Sequence, residues 1–157
     1  MKKRSKDALV LFFSKTGHTK RAAEEVAAGL ESAGISATVK GFVDTDPGEL
    51  KQFSLLALGS PTHGGKPAKK VRGFMRSLPK KSLKGKRVTS FTSYGGVRGN
   101  HTIKVFKKLL KKKGAKAIVP GVAVKAGAPL SLWKGPDIGE DDLGRLSTLG
   151  RALAGKK

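Results

Sequence analysis

Six apolar or aromatic residues, Ala8 to Phe13, run without a break into a small polar turn made of Ser14, Lys15, Thr16, Gly17, His18 and Thr19. A helical period follows, with Ala22, Ala23, Val26, Ala27, Leu30 and Ala33 on one face. An unbroken apolar run, a turn and a 3.6-residue period read as a buried strand, a tight turn and a helix. This unit constrains the fold strongly, because a strand that is apolar on both faces must be covered on both faces. The turn is also suited to an anion. Amides at a helix start point outward, and the helix dipole adds about half a positive charge there. The hydroxyls of Ser14, Thr16 and Thr19 can donate to the same oxygens, and Gly17 lets the backbone close around them. The same residues also suit an ordinary N-cap in a βα unit.

The unit recurs along the chain. A second strand is predicted over 36–42, followed by an acidic segment, 43–52, that contains Pro47-Gly48 and reads as a loop or one helical turn. A third, fully buried strand runs over 53–59, and 60–67 (SPTHGGKP) reads as an irregular loop. A helix over 68–78 turns Val71, Phe74, Met75 and Leu78 inward. A basic turn, 79–86, leads into a fourth strand over 87–94 and a second irregular loop over 95–100. The helix over 101–113 faces Ile103, Phe106 and Leu110 inward. Lys116 to Lys125 reads as a fifth strand, with Pro120 suited to an edge position. A Pro/Gly loop with Trp133 spans 126–139, and Trp133 is expected to cover a sheet edge or the core. The last helix, 141–154, carries Leu143, Leu146, Leu149 and Leu153 on one stripe. Alternation of strand and helix predicts an α/β fold with a doubly wound, five-stranded parallel sheet in a three-layer α/β/α sandwich. One domain over 1–157 is expected, with 1–7 a frayed basic start. In such sheets ligands sit beyond the carboxyl ends of the strands, where the loops after strands one, three and four converge.

Composition removes several chemistries. Cysteine is absent, which excludes disulfides, thiolate metal sites and cysteine nucleophiles. His18, His63 and His101 have no metal-ligand spacing. No apolar run approaches the roughly 20 residues of a membrane span. The apolar start is too short for a signal peptide, so the protein is expected to be cytoplasmic. The charge is the unusual quantity: 33 Lys+Arg against 11 Asp+Glu, a formal net of +22. No acidic residue lies between Glu49 and Asp137. Lys104, Lys107, Lys108, Lys111 and Lys112 follow helical spacing on one outer face. That face reads as a solvated surface, as a docking surface for an acidic partner, or as a nucleic-acid contact, for which no aromatic interleaving or nucleic-acid motif speaks.

Together, SKTGHT after the first strand, GSPTHGGKP after the third and FTSYGGVRGN after the fourth resemble the three ligand loops of flavodoxins, in the family's order over roughly 8–155. The length resembles that of the short-chain form. The resemblance implies strand order 2-1-3-4-5 and FMN as cofactor. It places the FMN phosphate on Ser14, Lys15, Thr16, Gly17, His18 and Thr19. The isoalloxazine would lie among Ser60, Pro61, Thr62, His63, Gly64 and Gly65 on one side and Thr92, Ser93, Tyr94, Gly95, Gly96 and Gly99 on the other. Tyr94 matches the stacking aromatic, and Gly64 and Gly65 match the site where family members turn a carbonyl toward the flavin.

Two features depart from the family. The first flavin loop offers Pro61 and His63 where many flavodoxins carry a Trp, which implies weaker FMN binding. Family members are typically acidic, whereas this chain is basic, which implies a less negative second reduction step. The implied function is electron shuttling between protein partners by a monomer, with no catalytic residue of its own. Acidic redox proteins would dock on the Lys-rich face. An FMN-dependent NAD(P)H oxidoreductase acting on quinones or other small acceptors is the alternative. A non-redox basic module is the third reading, with nucleic-acid contact incidental in the first two.

Overall fold

The apolar runs assemble into one sheet with helices on both faces. The computed structural model describes residues 8–15, 17–96, 98–126 and 137–155. Thr16 and Trp133, and most of the 126–139 loop, lie outside the described residues. In chain order the elements are β1 (Ala8–Phe12), α1 (His18–Ser32), β2 (Ala37–Gly41), two 3₁₀ turns (Phe42–Asp44 and Pro47–Gln52) and β3 (Leu55–His63). They continue with β4 (Lys66–Pro67), α2 (Lys69–Ser77), β5 (Arg87–Tyr94), α3 (Gly99–Lys112), β6 (Ala117–Ile118), β7 (Val122–Lys125) and α4 (Glu140–Leu153). The main path of the sheet is β2-β1-β3-β5-β6, with β7 also on β5. Apart from the β3–β4 hairpin, all pairs are parallel. This is the predicted 2-1-3-4-5 order, with the fifth strand divided.

Three local readings are corrected. The fifth strand breaks around exposed Pro120, which has no amide for the ladder, and only its two ends pair with β5. The 60–67 segment is partly regular. The third strand runs on to His63, and Thr62 and His63 pair antiparallel with Pro67 and Lys66 across the Gly64-Gly65 turn. Helices α1 and α3 begin at His18 and Gly99, two residues earlier than their apolar periods indicate. Periodicity registers only residues that face the core, so a polar first turn leaves no trace in it.

The pleat divides the central strands between two cores. Ala8, Val10, Leu55 and Ala57 face α1 and α4, whereas Leu9, Leu11, Leu56 and Leu58 face α2 and α3. Each fully buried leucine contributes about 2 kcal/mol of apolar burial. Helices α1 and α4 cross backbone to backbone. A Cβ on Gly29 would stand 2.0 Å from the Ser147 carbonyl oxygen, and one on Gly150 would stand 2.2 Å from that of Val26. The two helical layers also differ in charge. Glu24, Glu25 and Glu31 lie on α1, and Glu140, Asp141 and Asp142 lie on α4, whereas α2 and α3 carry no acidic residue. Among the described residues, no helix is long and apolar enough to cross a membrane.

Candidate functional site

Strand register brings the three loops together. Phe12 is level with Gly59, and Gly59 with Phe91. The turn after β1 therefore opens beside the ends of β3 and β5. Gly59 permits this spacing, because a Cβ there would lie 2.1 Å from the Phe91 ring.

The first loop closes on itself. The Gly17 amide donates to the Ser14 hydroxyl oxygen at 3.0 Å, which leaves the Ser14 proton free to donate outward. Gly17 has φ 96°, the left-handed region that glycine adopts at little cost. The start of α1 has no side-chain cap and no acidic residue in its first turn. The dipole of such a helix start favours an anion. Lys15 is exposed at the mouth of the loop. Thr19 sits beneath it, 1% exposed, with its hydroxyl 3.0 Å from that of Ser93. His18 is also buried, with Nδ1 3.7 Å from an oxygen of Asp137.

The second loop is held from below. The Ser60 hydroxyl accepts from the Ala68 amide and donates to the Pro61 carbonyl, both at 2.8 Å. The Thr92 hydroxyl donates to the Ser60 carbonyl at 2.7 Å and meets the Thr62 hydroxyl at 2.8 Å. The side chains of Ser60, Thr92 and Ser93 thus hold the loops together from within, while Pro61, Thr62 and His63 are half-buried. Burial lowers the His63 pKa from its ordinary value, and the charges of Lys15 and Arg72 lower it further. Both effects favour the neutral imidazole, and Lys15 lies within electrostatic reach of it across the two loops.

The third loop carries the aromatic. Tyr94 is half-buried, with its ring against Gly99, where a Cβ would stand 2.3 Å from Cδ1. Gly95 and Gly96 lie half-buried beside it. Arg98 starts α3 at φ 74°, the sole non-glycine with positive φ among the described residues. Such strain collects where a site over-determines the backbone. The next contact leaves no mark in the sequence. His101 Nδ1 donates to the Gly65 carbonyl at 2.7 Å, tying the glycine turn to α3. The pair is 36 residues apart, so no local pattern could reveal it.

The donor set consists of backbone amides, a hydroxyl and an ammonium, with no carboxylate in the 14–19 turn. It fits a phosphate monoester dianion. The glycine-lined loops and Tyr94 fit the edge and face of a flat aromatic ring. Among the described residues, no group of acidic or histidine side chains could hold a metal.

The family model for flavodoxin matches residues 10–132. The chain belongs to the flavodoxin family. The flavodoxin of Megasphaera elsdenii is 29% identical over 133 residues, covering 83% of this chain and 94% of that protein. Among solved structures, a flavodoxin from the domain Archaea superimposes with a TM-score of 0.76 at 25% identity, over 95% of this chain and 96% of its own. Flavodoxin 2 from Bacillus cereus has the same fold, with a TM-score of 0.80 at 22% identity, over 95% and 98% of the two chains. FMN is the cofactor of flavodoxins. This flavodoxin is an electron-transfer flavoprotein by family and fold.

Proposed function

We propose that this flavodoxin is a monomeric, cytoplasmic FMN carrier that shuttles electrons between protein partners and has no catalytic residue of its own. The uncapped, carboxylate-free start of α1, set beside the glycine-lined ends of β3 and β5, carries this reading. Ser14, Lys15, Thr16, Gly17, His18 and Thr19 would hold the phosphate, chiefly through amides and the Ser14 hydroxyl. Tyr94 would cover one ring face. Pro61, Thr62, His63, Gly64 and Gly65 would line the other, with Gly95, Gly96 and Gly99 closing the edge. Ser60, Thr92 and Ser93 would shape the pocket through their backbone, because their side chains face inward. FMN, when bound, supplies the redox chemistry. The protein positions the ring, and His101 fixes the Gly65 carbonyl beside it.

Acidic redox partners would dock at this end, over the exposed Lys15, Lys66, Lys69 and Arg98, with Lys104 at the margin. Attraction of opposite charge would raise the association rate and fade with salt. The rest of the α3 stripe runs away from the flavin end. The test is an absorption spectrum of purified protein after loading with FMN and desalting, followed by an NAD(P)H oxidation assay. About one retained flavin per chain and negligible NAD(P)H turnover are expected of a carrier. Steady turnover would make the protein a reductase instead, and loss of the flavin would remove the cofactor reading for this chain.

A further inference from the structure

Helices α2 and α3 and the 79–86 connection carry a block of charge that neither the core nor the flavin loops use. Some basic side chains there have internal tasks. Lys113 Nζ donates to the carbonyls of Leu78 and Arg76 at the end of α2. Lys86 binds the Phe53 carbonyl, and Arg87 binds those of Ala152 and Leu153. By contrast, Lys81, Lys84, Lys107, Lys108, Lys111 and Lys112 are exposed. Among the described residues, none of these six forms an ion pair. Burial of Phe106 and Leu110 fixes the lysine face of α3 outward.

These lysines gather away from the flavin loops. Gly99 lies against Tyr94 at the carboxyl end of β5, whereas the far end of α3 lies beside the connection that enters β5. There the Leu83 amide donates to the Lys113 carbonyl at 3.0 Å, and Lys81 Cα stands 3.3 Å from where a Cβ on Gly114 would be. A helix of this length spans about 21 Å, so a body docked on the basic end would leave the flavin end open.

We propose that this basic layer binds the phosphate backbone of a double-stranded nucleic acid without reading its sequence. This inference rests on charge and placement alone and stands apart from the flavin reading. A stable complex with an acidic protein, unlike a transient redox encounter, would call for apolar or aromatic anchors at its centre, and a helix lying in a membrane surface would call for an apolar face. The sole large exposed hydrophobic among the described residues is Val43, which belongs to neither helix. A single strand would call for aromatic platforms, and the layer exposes none. What it presents is a set of hydrated point charges, the groups that replace counterions on a duplex.

The test is fluorescence anisotropy of a labelled DNA duplex titrated with the full chain, with and without FMN, across rising KCl. Binding is expected with or without FMN, with log affinity falling by roughly 0.9 per phosphate contacted for each decade of salt. Lys108/Lys111/Lys112→Gln is expected to reduce that slope by about 3. Lys20/Lys125/Arg151→Gln removes as much charge off the layer and is expected to leave the slope nearly unchanged. Glutamine keeps a helix propensity close to that of lysine, and unchanged thermal melting would exclude misfolding. No binding at low salt, or equal weakening by both triple variants, would overturn the proposal. Tighter binding of polyglutamate than of the duplex would also overturn it and assign the layer to an acidic protein.

Discussion

The Tyr94 ring lies against Gly99, so a methyl group there would stand 2.3 Å from Cδ1 and push the ring aside. Overpacking of this kind costs about 1–3 kcal/mol, and an aromatic stacking contact contributes about 0.5–1.5 kcal/mol. Gly99→Ala is therefore expected to weaken FMN binding by up to about ten-fold, read as the dissociation constant by flavin fluorescence. An unchanged constant would mean that the ring takes no part in holding the cofactor. The sequence reads Gly99 as part of the loop after the fourth strand, whereas the structure puts it at the start of α3, and its place under the Tyr94 ring depends on how α3 meets β5. The contact between His101 and Gly65 is of the same kind. Each residue is ordinary in its own stretch, and only the fold brings the imidazole to the carbonyl.

At the scale of elements, the crossing of α1 and α4 makes an opposite pair of predictions. Alanine normally favours a helix over glycine by about 0.5–1 kcal/mol. Gly144 has open space around it, so Gly144→Ala is expected to stabilise the protein by that amount. A Cβ on Gly150 would stand 2.2 Å from the Val26 carbonyl oxygen and 3.0 Å from Gly29 Cα, so Gly150→Ala must separate two backbones. It is expected to destabilise by about 1–3 kcal/mol, a fall of roughly 3–10 °C in melting temperature by differential scanning calorimetry. Equal signs for the two substitutions would refute the close crossing. In the sequence the two glycines look alike, both inside one leucine-striped helix. Likewise, local pattern gave the strands and the resemblance their order, while the division at Pro120 and the Thr62–Pro67 hairpin depended on which neighbours offered partners.

For the whole molecule, charge is the quantity with a functional consequence. A lysine about 10 Å from the flavin in water favours an anionic reduced form by about 0.4 kcal/mol. Three or four such charges give roughly 1.4 kcal/mol before screening, about 59 mV in a one-electron couple. Lys15, Lys66, Lys69 and Arg98 are exposed at the flavin end. The second one-electron potential is therefore expected to lie above that of an acidic flavodoxin. Lys66/Lys69→Gln should lower it by roughly 30 mV in a low-salt redox titration, with the difference shrinking as salt is added. A potential as negative as an acidic relative's would remove this account of the basic surface at the flavin end.

The sequence by itself determined the class of fold, the alternation of strands and helices and the excess of basic charge, while the strand order came from the resemblance to a family. The first three are written in local patterns: unbroken apolar runs, helical periods, short polar turns and a long stretch without acid. Only the tertiary structure decided which side chains of the three loops face inward, what holds the Gly65 carbonyl, and that the acid-bearing helices α1 and α4 lie across the sheet from the acid-free α2 and α3. Those facts depend on contacts between residues tens of positions apart, set by strand register and helix packing, and no local pattern encodes such contacts.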